Sequence, residues 1–135
     1  MQIIPFPSGG ARFAPYGSRI YAHVGVLNEL QELLKKEDEQ IVFAAKFKDF
    51  SRKLLDNLGI EHLRYSAIFE VLRGASLRSM KFRILKLGNL RILYCIEGCC
   101  VYLLKAFKEK KTGTDYQSAI KTAEARRKEI EGGIS

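Results

Sequence analysis

The first half of the chain carries apolar residues at helical spacing. The first run consists of Val24, Leu27, Leu30 and Leu34. The second run consists of Phe43, Phe47, Phe50, Leu54 and Leu58. Because residues three and four apart share a helix face, the runs predict two amphipathic helices. The first is expected to end at the acidic cluster 37–39 and the second at Gly59, which supplies a left-handed C-cap. We expect the two helices to form a hairpin.

Two other stretches fit neither the helical nor the strand period. Residues 1–19 are rich in proline and glycine, so they predict a short strand followed by irregular chain. Residues 60–76 are interpreted as a partly helical connector that ends at Gly74.

The second half changes to alternating apolar and polar positions. The alternating or apolar runs are residues 80–84, 90–96 and 101–104. Turn residues at 88–89 and 97–98 separate them at hairpin spacing, which predicts a three-stranded antiparallel meander. Residues 115–130 return to helical spacing, with the cations 126–128 near the C-terminal turn, where they suit the helix dipole. The predicted fold class is α+β: an N-terminal helical hairpin packed on a small antiparallel sheet, with a C-terminal helix.

Length and composition favour one domain. The chain has 135 residues, of which 47% are hydrophobic, so we expect a single domain spanning 1–135. It has no uncharged apolar run of roughly 18 residues and no recognisable leader, so we expect a cytoplasmic protein without a membrane span. Three cysteines within six positions fit a reducing compartment. Because the two histidines, His23 and His62, are far apart in sequence and not in a paired spacing, we expect them to be structural and predict no metal site.

The positive charge is concentrated in the second half. The net charge is +8, of which residues 1–73 contribute +1 and residues 74–135 contribute +7. Such asymmetry favours a polyanionic partner, since each cation that neutralises a phosphate releases counterions. An ordinary solvated basic surface is the alternative.

The second half also carries motifs in a recognisable order. They are LRSMKFRI at 77–84, GNLRILY at 88–94, VYLLKAFKEKKT at 101–112 and YQSAI at 116–120. Between residues 77 and 127 the chain resembles the RelE/HigB superfamily of toxins, in particular its phage-derived HigB-like branch. Lys81 stands where that family has an acidic residue, and Leu90 stands where it has an aromatic one.

The resemblance implies a RelE-like, microbial-ribonuclease-like fold and a toxin of a type II toxin–antitoxin system. Such toxins enter the ribosome and cleave mRNA by attack of the RNA's own 2′-hydroxyl, so no metal or cofactor is expected. The implied catalytic residues are Arg83, Arg91, Lys110 and Tyr116. The implied RNA-binding residues are Lys81, Lys86, Tyr94, Lys105, Lys108 and Lys111. The implied partners are the ribosome, mRNA and a cognate antitoxin, which we expect to be a helix-turn-helix protein of the HigA type.

These residue types suit the reaction. Fixed cations stabilise the extra negative charge that transesterification places on the phosphate oxygens. Tyr116, or a lysine whose pKa is lowered by neighbouring cations, could transfer the protons. The alternatives are that Arg83 and Arg91 are solvated strand residues and that Tyr116 and Tyr94 are packing residues. A non-catalytic RNA-binding or regulatory protein, or a phage accessory protein with the same fold, therefore remains open as the alternative function.

Overall fold

The computed structural model describes residues 12–72, 76–110 and 114–134, and within the last helix it describes the side chains of residues 116–130. The strands are β1 (Phe13–Pro15), β2 (Ile20–His23), β3 (Phe69–Val71), β4 (Arg78–Ile84), β5 (Gly88–Glu97) and β6 (Cys100–Lys108). The helices are α1 (Val24–Leu33), α2 (Glu37–Asp56), α3 (Glu61–Arg64) and α4 (Thr114–Ile134). A 3₁₀ turn, Leu85–Leu87, joins β4 to β5.

The strands form one six-stranded mixed sheet in the order β1-β2-β6-β5-β4-β3. The predicted antiparallel meander is confirmed as β4, β5 and β6. The predicted sheet was too small, because β3 pairs antiparallel with β4 and β2 pairs parallel with β6. The expectation of irregular chain before residue 19 was wrong at 13–15, where β1 pairs antiparallel with β2. The strand expected among residues 1–11 lies outside the described residues. The fold is α+β with a mixed sheet.

The sheet is covered on both faces. On β4 the apolar side chains of Met80, Phe82 and Ile84 face the layer of α1 and α2, as their alternation predicts. The central strand β5 is buried on both faces, since Ile92 packs in that layer and Leu93 packs in a second core beneath α4. Side chains on the α4 face of β4 and β5 that lie beyond the cover of α4 are therefore available for a site.

The boundary between α1 and α2 differs from the prediction. The acidic residues 37–39 begin α2 instead of ending α1, and the Glu39 carboxylate accepts a hydrogen bond from the Lys36 backbone at 3.3 Å. Negative charge is favourable in the first turn of a helix, because the helix dipole is positive there. The two helices are joined by residues 34–36, and each packs mainly on the sheet, α1 against β2 and β6 and α2 against β4.

The last helix is longer than predicted, so residues 126–128 are not in its final turn. Arg126 and Arg127 form ion pairs instead, with Glu29 at 2.9 Å and with Glu97 at 3.1 Å. Among the described residues, none of the helices combines the length and apolar character needed to cross a bilayer.

Helices α1 and α4 close the part of the β6 edge that β2 does not reach. Strand β2 pairs only as far as Leu103, and beyond it the Leu104 carbonyl accepts from Arg126 at 2.9 Å. The Ala106 amide donates to Glu29 at 3.0 Å. A Cβ at Gly25 would overlap the Arg126 guanidinium, so the absence of a side chain there permits the approach of α1. Charged side chains thus satisfy edge groups that would otherwise be left unpaired.

Candidate nucleic-acid interface

Arg91 is the centre of a hydrogen-bonded cluster on the α4 face of the sheet. Its Nε and Nη2 donate to the two carboxylate oxygens of Glu109 at 3.0 and 3.4 Å. Its Nη1 donates to Ser79 Oγ at 3.2 Å and to Glu70 Oε1 at 3.4 Å. The Arg91 side chain is 14% exposed. Arg91 lies on β5, and its partners Glu70 and Ser79 lie on β3 and β4. Glu109 therefore fixes the plane of the guanidinium, and the Nη1 side faces the exposed Glu70.

Tyr116, in the first turns of α4, completes this cluster. Its hydroxyl donates to Glu70 Oε1 at 3.1 Å, and its ring centroid lies 5.4 Å from Arg91 Cζ. The ring also packs edge-on against Phe107. Burial raises the pKa of Tyr116, although Ser79 and Arg91 oppose the shift. The phenol is therefore a hydrogen-bond donor at neutral pH.

A cleft lies beside this cluster, at the β3 edge of the sheet. It has a volume of about 380 Å³. Its lining includes Glu70, Lys81, Arg91, His62 and Ser66. Lys81 stands directly across from Arg91 in the β4–β5 pair, so both cations face the same cleft. This arrangement offers cationic, carboxylate and hydroxyl groups around one open space.

Three of the predicted lysines lie in a second cavity. Lys105, Lys108 and Lys110 line a space of about 420 Å³ between α1, β6 and α4. Lys105 Nζ is paired with Glu29 at 2.9 Å. Lys110, which the resemblance implies as a catalytic residue together with Arg91, therefore lines this cavity and not the cleft beside Arg91. A β-bulge interrupts the β5–β6 pairing between Leu93 and Tyr94. It changes the direction in which the neighbouring side chains of β6 point.

The remaining predicted residues lie in separate places. Arg83 is exposed on the same face as Lys81, opposite Asn89, but is not part of the cleft lining. Lys86, implied to bind RNA, lies in the 3₁₀ turn and lines a different cavity, with the first turn of α2. Lys111 lies outside the described residues.

Tyr94 is buried and cannot contact RNA in this structure, which corrects its implied role as an RNA-binding residue. It is 0% exposed and shares its face of β5 with Ile92 in the core. Its hydroxyl donates to the buried carboxylate of Glu61 at 2.7 Å, and Arg78 donates to the same oxygen at 2.9 Å. Burial and the adjacent Glu61 charge raise the pKa of Tyr94. The residue is part of a buried polar network.

Sequence reasoning missed the polar residues that surround Arg91. Glu70 lies in a stretch without clear periodicity, Ser79 has no distinguishing signal, and Glu109 lies among the lysines of the motif at 101–112. Only Glu109 had a usable signal, since a carboxylate among cations close to a strand arginine is a natural ion-pair partner.

The two histidines contact different partners. Within residues 12–72, 76–110 and 114–134, no three His, Cys, Asp or Glu side chains form a group that could hold a metal ion. His23 Nδ1 accepts from the Gly25 amide at 2.9 Å and caps α1, while Nε2 contacts Glu129 at 3.1 Å. His62 Nδ1 lies 3.3 Å from Arg78.

Comparisons with protein-family models, with curated proteins and with solved structures found no match for this chain.

Proposed function

We propose that this protein is a metal-independent endoribonuclease of the RelE/HigB-like toxin type, with a RelE-like fold, and that Arg91 binds the scissile phosphate. Its substrate is mRNA held on the ribosome, which makes the cytoplasm its site of action. A helix-turn-helix antitoxin of the HigA type is the proposed cognate partner. The observation that carries the proposal is the hydrogen-bonded cluster of Arg91, Tyr116 and Glu70, beside an open cleft that Arg91 and Glu70 line. Arg91 and Tyr116 belong to the segment that resembles these toxins.

The orientation of Arg91 supports phosphate binding. Glu109 holds the guanidinium through two bonds, which leaves the Nη1 side aimed toward Ser79 and Glu70. The contact to Glu70 is long, at 3.4 Å, and the Glu70 side chain is 55% exposed. A phosphate that displaces Glu70 would replace a weak, solvated ion pair with a charge-assisted bond to a dianionic transition state. Lys81, across the strand pair, would add a second positive charge to the same phosphate.

Glu70 and Tyr116 suit the two proton transfers. Glu70 is an exposed carboxylate and can act as the base that takes the proton from the attacking 2′-hydroxyl. Tyr116, which remains protonated because its pKa is raised, can donate to a phosphate oxygen or to the leaving 5′-oxygen. Catalysis then needs RNA held in line for attack, and the ribosome is the proposed source of that orientation.

The test is mRNA cleavage on purified translating ribosomes, read by primer extension, together with growth after induced expression. Wild-type protein should cleave the mRNA and arrest growth. Arg91→Met should lower the cleavage rate about 10²–10³-fold, because one fixed donor to the developing charge is lost. Glu70→Gln and Tyr116→Phe should each lower it about 10²-fold or more if these groups transfer protons.

Arg52→Met is the matched control. Arg52 lies on α2, its side chain is 70% exposed, and within the described part of the chain its ion-pair partner is Asp49 on the same helix. This variant should cleave at the wild-type rate, and all variants should retain cooperative thermal unfolding. If wild-type protein leaves the mRNA intact and growth unaltered, the nuclease proposal fails.

The ion pairs around Arg91 favour a second candidate, a non-catalytic RNA-binding protein. Glu70 and Glu109 already pair with the Arg91 guanidinium. A guanidinium whose charge is compensated in this way suits a site that positions RNA without stabilising a transition state. Binding without cleavage would show retention of labelled RNA on the protein, weakened by added salt and by Arg91→Met, with no shortened product. Cleavage of the bound RNA would exclude this candidate.

A further inference from the structure

Two adjacent cysteines occupy the turn between β5 and β6. Glu97 pairs with Cys100, so Gly98 and Cys99 form a two-residue hairpin loop. Gly98 has φ +64° and occupies the first central position, which is the arrangement of a type II′ turn. This turn matches the right-handed twist of the flanking strands and holds Cys99 and Cys100 in a fixed relative position.

The two thiols are accessible and lie close together. Cys99 is exposed and Cys100 is half-buried, whereas Cys95 is buried. Because Cys99 and Cys100 are consecutive residues, their Cα atoms are about 3.8 Å apart. Cys100 packs at the margin of the core beneath α4, next to Tyr21. Neither thiol lines the cleft beside Arg91, because Glu97 lies six positions along β5 from Arg91, or about 20 Å of extended strand.

We propose that Cys99 and Cys100 form a dithiol site that chelates one soft, thiophilic ion or electrophile, such as a trivalent arsenical or Cu(I). Thiolates are the side chains that soft ions prefer. A disulfide between adjacent residues requires a short S–S bond at a restricted dihedral angle, which a fixed turn opposes. An inserted larger atom spans the two sulfurs without that requirement. The site needs no oxidant, and it is independent of the proposed nuclease activity.

The chemistry of the probe is simple. Phenylarsine oxide has one arsenic–oxygen double bond, and it reacts with two thiols to form two arsenic–sulfur bonds. The two thiol protons leave with the oxygen as one water molecule, and no electrons are gained or lost. One arsenical should therefore consume two thiols of one chain.

The experiment uses the full chain, fully reduced, with phenylarsine oxide as the probe. Intact mass spectrometry should show one phenylarsenic group per single chain. The adduct should persist in excess glutathione and be removed by 2,3-dimercaptopropanol. A small dithiol can compete with the two protein sulfurs for the arsenic atom, whereas a monothiol cannot. Cys99→Ser and Cys100→Ser should each bind about 10²-fold more weakly, since each retains one of two linked attachment points.

Cys95→Ala is the matched control and should bind as the wild-type protein does. Circular dichroism checks that each variant is folded, and the exposed position of Cys99 makes Cys99→Ser the decisive variant. The proposal is overturned if Cys99→Ser binds like the wild type, if Cys95→Ala loses the adduct, if glutathione strips the wild-type adduct, or if the adduct joins two chains.

Discussion

Glu29 joins α1 to both β6 and α4, and its replacement by glutamine should strongly destabilise the fold. Its carboxylate accepts from the Ala106 amide, from Lys105 and from Arg126. Its side chain is 18% exposed, and those of Lys105 and Arg126 are 23% and 17% exposed. Hydrogen bonds to charged groups contribute about 1.5–3 kcal/mol each. Since Gln can still accept one bond but leaves the two cations uncompensated, we expect the free energy of unfolding to fall by about 2–4 kcal/mol.

Urea denaturation at pH 7 measures this loss, with Glu32→Gln as the control. Glu32 lies one turn further along α1 and is exposed, so its replacement should change stability by less than about 0.5 kcal/mol. A loss below about 1 kcal/mol for Glu29→Gln, or an equal loss for Glu32→Gln, would refute the reasoning.

The effect of acid gives a second readout for Glu29. Burial raises the pKa of Glu29, but hydrogen bonds from Arg126, Ala106 and Lys105 outweigh it and hold the pKa below the usual 4.5. Because the unfolded chain binds this proton first, the stabilisation is complete above pH 4.5 and is lost as the pH falls through the native pKa. The difference between wild type and Glu29→Gln should therefore be constant near neutral pH and shrink in acid.

Two further predictions concern buried polar groups. Tyr94→Phe removes a 2.7 Å hydrogen bond to the buried Glu61 carboxylate, so the free energy of unfolding, measured by urea denaturation, should fall by about 1.5–3 kcal/mol. A loss below about 0.5 kcal/mol would mean that this hydrogen bond contributes little. Burial lowers the pKa of His23 below 6.5, so its contribution to stability is complete above pH 6.5 and declines as the pH falls below that value. His23→Asn keeps a cap acceptor and should flatten this part of the plot of unfolding free energy against pH. An unchanged plot would contradict the assignment.

The sequence predicted the elements that have a long, regular pattern. Strands β4 to β6 and the helices α1, α2 and α4 each contain enough apolar positions to define a period. Strands β1 and β3 have three residues each, which is too short for alternation to be recognised. The parallel pairing of β2 with β6 depends on where α1 and α2 pack, and that information is absent from the local pattern.

The candidate site was predictable only in part, because the neighbours of a cation depend on strand register. Lys81 and Arg91 face the same cleft because they are paired across β4 and β5. Lys108 is paired with Leu90, whose side chain faces α1 and α2, so it is presented away from Arg91. The bulge near Tyr94 cannot be recognised from composition, since no glycine or proline marks it. Glu70 reaches Arg91 only through the pairing of β3 with β4.

The compensation of Arg91 by carboxylates makes its role testable through stability. A partly buried ion pair can often be replaced by apolar residues without loss, whereas removing one partner alone is costly. If Arg91 and Glu109 serve RNA, Arg91→Met combined with Glu109→Met should leave the free energy of unfolding unchanged within about 1 kcal/mol, or raise it, while cleavage and RNA binding are lost. If the double variant instead loses more than about 2 kcal/mol, the pair is a structural clamp between β5 and the chain after β6. The nuclease proposal would then lose its main physical support, because the guanidinium would already be committed to holding the fold together.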